Sequence, residues 1–261
     1  MKADNFDLQR YFDRIGYAGE ARPDLATVAA VLRRQLHSVP FENLDVRAGK
    51  PISLVPEDIV DKLVHRRRGG YCYEINGLFA MALEALGVPY RFVGCRPMTY
   101  HSRRPRTHMA ILARLDGEEW LCDAGFGSYG MRAPMRLAGT GEVRQDDDAF
   151  ELLRQDNGEF RDNDEYLFRT RIDGKWTNQY SFDLAHHEWV DFLPANWFNS
   201  THPETLFTTH LIVMRQTPEG RVILFDDRLK TVAHGLTTAR VIAPDERDAV
   251  LRDLFGLEPP A

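Results

Sequence analysis

No run in this 261-residue chain approaches the ~20 apolar residues that a membrane-crossing helix needs. The longest candidate, residues 75–83, contains Asn76 and stops at Glu84. The opening Met1-Lys2-Ala3-Asp4-Asn5-Phe6-Asp7 lacks the basic and then apolar character of a secretory signal. A basic excess is missing as well: 33 Lys and Arg stand against 39 Asp and Glu, giving a net charge of −6. That balance argues against nucleic-acid partners and offers nothing for a membrane surface. The one basic run, His65-Arg66-Arg67-Arg68, reads as a helix end, where cations meet the partial negative charge of the last carbonyls.

Cysteine is scarce, at three residues, so no disulfide framework is expected. With no export signal these thiols are expected to stay reduced in a cytoplasmic setting. Among the nine histidines, only His186-His187-Glu188 has a metal-like composition, and it lacks zinc-ligand spacing. No metal is therefore expected. Internal repeats and low-complexity tracts are absent, which leaves an ordinary globular chain with a sizeable core.

The first ninety residues carry helical signals. Val28, Val31, Leu32 and Leu36 recur at helical spacing after Asp24, and Pro40 stops that helix. A second segment opens at Pro56-Glu57-Asp58, presents Ile59, Val60, Leu63 and Val64, and ends at Gly69-Gly70. A third runs from Cys72 to Leu86, and Gly87 closes it. From Pro89 the period changes to that of strands, at 91–95, 108–115, 120–124, 166–172 and 179–182. Residues 139–148 and 154–164 are polar and read as loops. Further strands are expected at 211–215, 222–225 and 238–242, then a helix over 246–255. Helices followed by many strands and a mixed tail point to an α+β fold.

Cys72 follows a glycine turn and stands at the start of the third helix. Unpaired amides and positive potential there favour thiolate over thiol, and could hold the oxyanion of a tetrahedral intermediate. Cys95 and Cys122 fall within strands and read as core residues. A nucleophilic thiol needs a base, and the base needs an orienting group. Asp116-Gly117 favours a two-residue hairpin in which Leu115 faces Glu118. In that register His108 lies opposite Gly125, with Asp123 its diagonal neighbour on the same face, about 7–8 Å away. A four-residue loop keeps the two on one face, whereas a three-residue loop separates them. The stretch Ala124-Gly125-Phe126-Gly127-Ser128-Tyr129-Gly130 follows directly. Its three glycines allow amides to approach an anion closely. It lacks the lysine of a P-loop and the spacing of a dinucleotide motif, and an ordinary turn would look the same. A phosphate-bearing acyl donor bound here would hold its reactive end near Cys72.

These residues resemble those of the arylamine N-acetyltransferases, over nearly the whole chain. The similarity begins at Tyr11-Phe12-Asp13-Arg14-Ile15-Gly16-Tyr17 and continues through Pro40-Phe41-Glu42-Asn43-Leu44-Asp45. Its most specific part is Arg68-Gly69-Gly70-Tyr71-Cys72-Tyr73-Glu74-Ile75-Asn76-Gly77, followed by Thr107-His108-Met109 and Asp123-Ala124-Gly125-Phe126-Gly127. The resemblance implies a Cys72–His108–Asp123 catalytic triad and acetyl-CoA as donor. It implies ping-pong transfer to an arylamine or hydrazine nitrogen. It also implies three parts: a helical bundle over 1–88, a β-barrel over 89–193 and an α/β lid over 194–261. By similarity, Phe41 and Phe126 would line the acceptor pocket. Gly125, Phe126, Gly127, Ser128, Tyr129 and Gly130, with Thr208, would lie near the cofactor. Arg68 and Glu42 would form a structural ion pair. The same triad order would also serve an amide synthase that closes a polyketide macrolactam, or a transglutaminase-like amidase.

Overall fold

The computed structural model describes residues 1–99, 103–127, 129–139, 141–155 and 165–258. Helix α1 (Leu8–Ile15) is capped by the Asp7 carboxylate, which accepts from the Arg10 amide, and it closes on left-handed Gly16. Helix α2 (Leu25–Ser38) is capped in the same way by Asp24 and buries the expected stripe of Val28, Val31, Leu32 and Leu36. A two-residue strand β1 (Phe41–Glu42) leads to the short α3 (Leu44–Arg47). The second expected helix divides: α4 (Pro56–Val60) widens into a π-helical turn, Asp61–His65, where Lys62 becomes buried. In α5 (Cys72–Ala85) every residue from Cys72 to Leu83 is buried, so the helix is enclosed on all sides.

Eight antiparallel strands form the central sheet: β2 (Tyr90–Pro97), β3 (His108–Leu115), β4 (Glu118–Cys122), β5 (Met135–Arg136), β6 (Glu142–Gln145), β7 (Asp148–Gln155), β8 (Glu165–Ile172) and β9 (Lys175–Phe182). Their order is β5-β4-β3-β2-β9-β8-β7-β6, which curls into a near-closed barrel. The buried Gln145 side chain bridges the two edges: its Oε1 accepts from the Arg132 and Ala133 amides at 2.7 and 2.9 Å, and its Nε2 donates to Ala133 O. Leu115 pairs with Glu118 across Asp116 (φ 52) and Gly117 (φ 78), the two-residue turn that the Asp-Gly pair predicts.

Two readings change. Residues 139–148, expected to be a loop, contain β6 and the turn into β7. The strand is masked in sequence because β6 lies at an edge and buries only Gln145 of its four residues. Residues 154 and 155 of the second expected loop end β7, and the rest of it lies outside the described residues. β7 and β12 carry no clear strand signal in the sequence, although both pair along their full length.

A 3-10 turn (Trp189–Phe192) leads into α6 (Leu193–Thr201) and α7 (Leu206–Thr209). The chain then builds β10 (Ile212–Thr217), β11 (Gly220–Phe225), β12 (Arg228–Ala233), β13 (Leu236–Val241) and α8 (Arg247–Phe255). These strands form a second sheet in the order β1-β10-β11-β12-β13, so Phe41 and Glu42 are recruited from far upstream to face Met214 and Val213. Val250, Leu251 and Phe255 of α8 close one core against Val213, Leu224 and Leu229. Among the described residues no helix is long and apolar enough to cross a membrane.

One half-buried base, His37, gives the fold a measurable acid sensitivity. Burial, then the guanidinium groups of Arg132, Arg33 and Arg34, push the His37 imidazole down from 6.5 to about 4. The unfolded chain then binds the proton more readily than the folded one. His37 therefore contributes stability that is present above pH ~6.5 and lost as pH falls towards 4. We expect a loss on the order of 1–2 kcal/mol across that window, discounted for partial exposure. Urea unfolding of His37→Gln at pH 7 and pH 4.5 checks it: the variant should lose visibly less stability than the wild type, and an equal loss would acquit His37.

Candidate active site

The start of α5 is fixed by its own Glu74 and by charges outside the helix. Glu74 Oε2 accepts from the Tyr71 amide at 3.0 Å, while Glu74 Oε1 accepts from Lys62 Nζ at 2.7 Å. Lys62 also meets Asp45 at 2.7 Å, and Arg68 meets Glu42 at 2.7 Å and Asp45 at 3.4 Å. The anticipated Arg68–Glu42 pair is thus one arm of a net of three acids and two bases. Gly69 is needed because a Cβ there would sit 2.2 Å from Pro40 O, where the chain passes β1. The turn ahead of Cys72 is held by backbone proximity and by charge together.

His108 opens β3 and Asp123 follows β4, so the hairpin brings them to one end of the barrel. His108 Nε2 lies 2.7 Å from Asp123 Oδ2, both side chains buried. The other carboxylate oxygen, Oδ1, accepts from Asn76 Nδ2 at 3.0 Å and from the Gly125 amide at 2.9 Å. Asn76 lies one turn after Cys72; its Nδ2 also donates to Met109 O, and its Oδ1 accepts from the Ala124 amide. One fully buried amide side chain therefore ties α5 to both strands of the hairpin. Gly125 passes so close that a Cβ would stand 2.8 Å from Cys72 Cα.

Cys72 and His108 line one cavity of about 340 Å³, with Phe41, Phe126, Tyr129, Phe207 and Met214 among its walls. Cys95 and Cys122 are buried in strands away from it, and no cysteine is disulfide-bonded. Burial and then the Asp123 carboxylate push the Cys72 thiol up, while hydrogen bonds from the Tyr73 and Met109 amides pull it down. The helix-start effect is present but outweighed, which revises the expectation of a standing thiolate. Burial raises Asp123, but His108, the Asn76 amide and the Gly125 N–H outweigh it and hold this carboxyl below the usual range.

The site residues read from the sequence separate into groups. Phe41, Gly125, Phe126 and Tyr129 line the cavity, and the Phe126 ring lies 5.1 Å from the His108 ring. Gly127 lines a smaller void beside Phe41 and Met214. Ser128 lies outside the described residues. The Ala124, Gly125 and Gly130 amides are already bonded to Asn76, Asp123 and Gly127, so only part of this segment is left to act as an anion nest. Thr208 bonds His202 O at 2.9 Å within its own turn, while its neighbours Leu206 and Phe207 reach the cavity. Sequence reasoning passed over Asn76, which a polar residue at i+4 from the thiol on a buried helix could have signalled. Tyr180, whose ring packs 5.2 Å from His108, arrives from β9 with no local signal. Among the described residues no cluster of three or more His, Cys, Asp or Glu side chains could hold a metal ion.

This arrangement matches known proteins along most of its length. A family model described as N-acetyltransferase covers residues 24–260. The arylamine N-acetyltransferase of Escherichia coli K12 is 31% identical, over 96% of this chain and 88% of that protein. The enzyme of the same name from Mycolicibacterium smegmatis is 34% identical, over 88% and 84%. The crystal structure of the Nocardia farcinica arylamine N-acetyltransferase superposes with a TM-score of 0.92 at 36% identity, covering 98% of this chain and 91% of that one. The Mycobacterium marinum arylamine N-acetyltransferase in complex with CoA gives a TM-score of 0.86 at 32% identity, covering 96% and 92%. A family model over most of the chain, relatives above 30% identity along most of their own length and solved structures of the same fold agree, and the chain belongs to the arylamine N-acetyltransferase family.

Proposed function

We propose that this protein transfers an acetyl group from acetyl-CoA, through an acetyl-Cys72 intermediate, to the nitrogen of an arylamine or hydrazine. The observation that carries this reading is the shared cavity: Cys72 opens onto the same space as a histidine whose far nitrogen is held by a buried carboxylate. An ionised Asp123 only accepts hydrogen bonds, so Nε2 carries a proton and Nδ1 is the nitrogen left as a base. Cys72 gives its proton to Nδ1 and attacks the thioester carbonyl carbon. The Tyr73 and Met109 amides, already directed at the sulfur, stabilise negative charge there. As the carbonyl re-forms, the carbon–sulfur bond to coenzyme A breaks, and His108 returns the proton to the departing thiolate. In the second half the amine nitrogen attacks the carbonyl carbon of acetyl-Cys72, the carbon–sulfur bond to Cys72 breaks, and His108 takes the amine's proton and hands it to the released Cys72 sulfur.

Phe41, Phe126, Tyr129 and Phe207 give the cavity aromatic walls suited to a flat aryl acceptor. In this reading residues 1–88 supply the nucleophile, residues 89–193 the base and its orienting acid, and residues 194–261 part of the wall. A cytosolic setting suits three unpaired thiols. Incubation with acetyl-CoA alone, without amine, should add one acetyl mass to the Cys72 peptide. An unmodified Cys72 after that treatment would sink the ping-pong scheme.

A further inference from the structure

The two sheets end differently at their edges. β1 and β5 are two residues each, and β6 is four residues long and tied back by Gln145. β13 is six residues long, contains no proline or lysine, pairs with β12 without a register shift, and exposes all six side chains. Leu236 is 74% exposed and Val241 65%. Of the devices that blunt an edge strand, β13 has no break, no bulge and no inward charge, and its one charged side chain, Arg240, is paired with Glu246.

The hydrogen-bonding direction along β13 follows from its turn. His234 (φ 48) and Gly235 (φ 74) form a two-residue turn between Ala233 and Leu236. The pair flanking such a turn is hydrogen-bonded, and the pattern alternates from there. Ile242 N donating to Asp227 O at 2.8 Å marks the far end of the same alternation. Leu236, Thr238 and Arg240 therefore turn their backbone groups towards β12, whereas Thr237, Ala239 and Val241 turn theirs outward.

We propose that a second copy of this chain docks on this edge, the two β13 strands running antiparallel about a two-fold axis at Ala239. A two-fold requires one residue to face its own mate. Centred on Ala239, Thr237 faces Val241 of the other copy, and all three outward N–H and all three outward C=O groups are used, in about six hydrogen bonds. A centre on Thr237 or Val241 would leave part of the edge unpaired. Charge agrees with the register: the strand's one ionic side chain, Arg240, is held by Glu246 at 3.0 Å and would face Thr238, so no like charges oppose. A strand whose free groups are used in full by its own two-fold mate selects a copy of itself as occupant.

The test is association measured by sedimentation or light scattering on the full chain across a wide concentration range. The wild type should move towards twice the monomer mass as concentration rises. Ala239→Pro removes an outward N–H that β12 does not use, so it should stay monomeric with its unfolding midpoint unchanged. Ala239→Cys should give a disulfide-linked dimer on oxidation, because facing residues of a hydrogen-bonded pair lie about 5.5 Å apart at Cα, within disulfide reach. Thr238→Cys should not. A wild type of monomer mass at every concentration overturns the proposal, as does an Ala239→Pro protein that associates like the wild type. Should the proline variant unfold, the cysteine variants decide: equal cross-linking at 238 and 239 overturns it.

Discussion

Asp123→Asn is expected to lower kcat/KM by about 10³–10⁴-fold while leaving the chain folded. The carboxylate accepts from His108 at 2.7 Å, Asn76 at 3.0 Å and the Gly125 amide at 2.9 Å. An asparagine keeps one acceptor and gains one donor group. Its oxygen belongs with Asn76 and Gly125, since both partners are donors. Its NH₂ then faces His108 Nε2 and forces that nitrogen to accept. The imidazole proton moves to Nδ1, and the base proposed for the Cys72 thiol disappears. The change is nearly isosteric, so packing around the buried pair survives.

The same contacts set a pH dependence. Asp123 lies below the ordinary carboxylate range in the folded chain, so its contribution to stability is present above the unfolded value of ~3.9 and fades as pH falls through the folded one. Steady-state kinetics of Asp123→Asn, with an unfolding midpoint as control, provide the check. Activity within about tenfold of wild type would remove Asp123 from the mechanism. A second readout is alkylation of Cys72 by iodoacetamide between pH 5 and 8. Burial and the Asp123 carboxylate raise this thiol, and in the proposed mechanism proton transfer to His108 frees the thiolate. The variant should therefore react far more slowly than the wild type at neutral pH.

The hairpin shows why part of this site was legible in the sequence. Asp116-Gly117 sets the turn, the turn sets the register, and the register brings His108 and Asp123 to one side. Each step is local, so spacing alone carries it. Cys72 was legible for a similar reason, since a glycine turn before a helical run is a short-range signal. What spacing does not carry is burial, a tertiary quantity: the positive end of α5 favours the thiolate, and the low-dielectric surround opposes it. β6 was missed because an edge strand has no apolar alternation to read. Phe207 and Met214 reach the cavity and Tyr180 packs on His108 from three distant elements, and no window of sequence contains their proximity to the site.

Lys62→Met carries the largest expected loss of stability, about 3–5 kcal/mol. The Lys62 side chain is 8% exposed, and its ammonium stands 2.7 Å from both Asp45 and Glu74. Burial presses its pKa down, but Glu74, Glu42 and Asp45 together hold it above the ordinary lysine value. Methionine fills the space and leaves Glu74 without its counter-charge, in a place where burial already pushes that carboxyl up. A loss of this size takes a large share of the 5–15 kcal/mol typical of a folded protein. Its pH dependence should run opposite to that of Asp123. Glu74 binds its proton more readily folded than unfolded, so stability is lost as pH rises and regained as pH falls towards 5. Lys62→Met should thus unfold more easily at pH 8 than at pH 5.5, and adding Glu74→Gln should recover part of the deficit. Because Glu74 also holds the Tyr71 amide at the start of α5, the single variant should lose activity before it loses bulk helicity. Thermal unfolding across that pH range tests the argument, and a Lys62→Met protein as stable as the wild type at pH 8 would mean that the charge net does not hold the cysteine's helix in place.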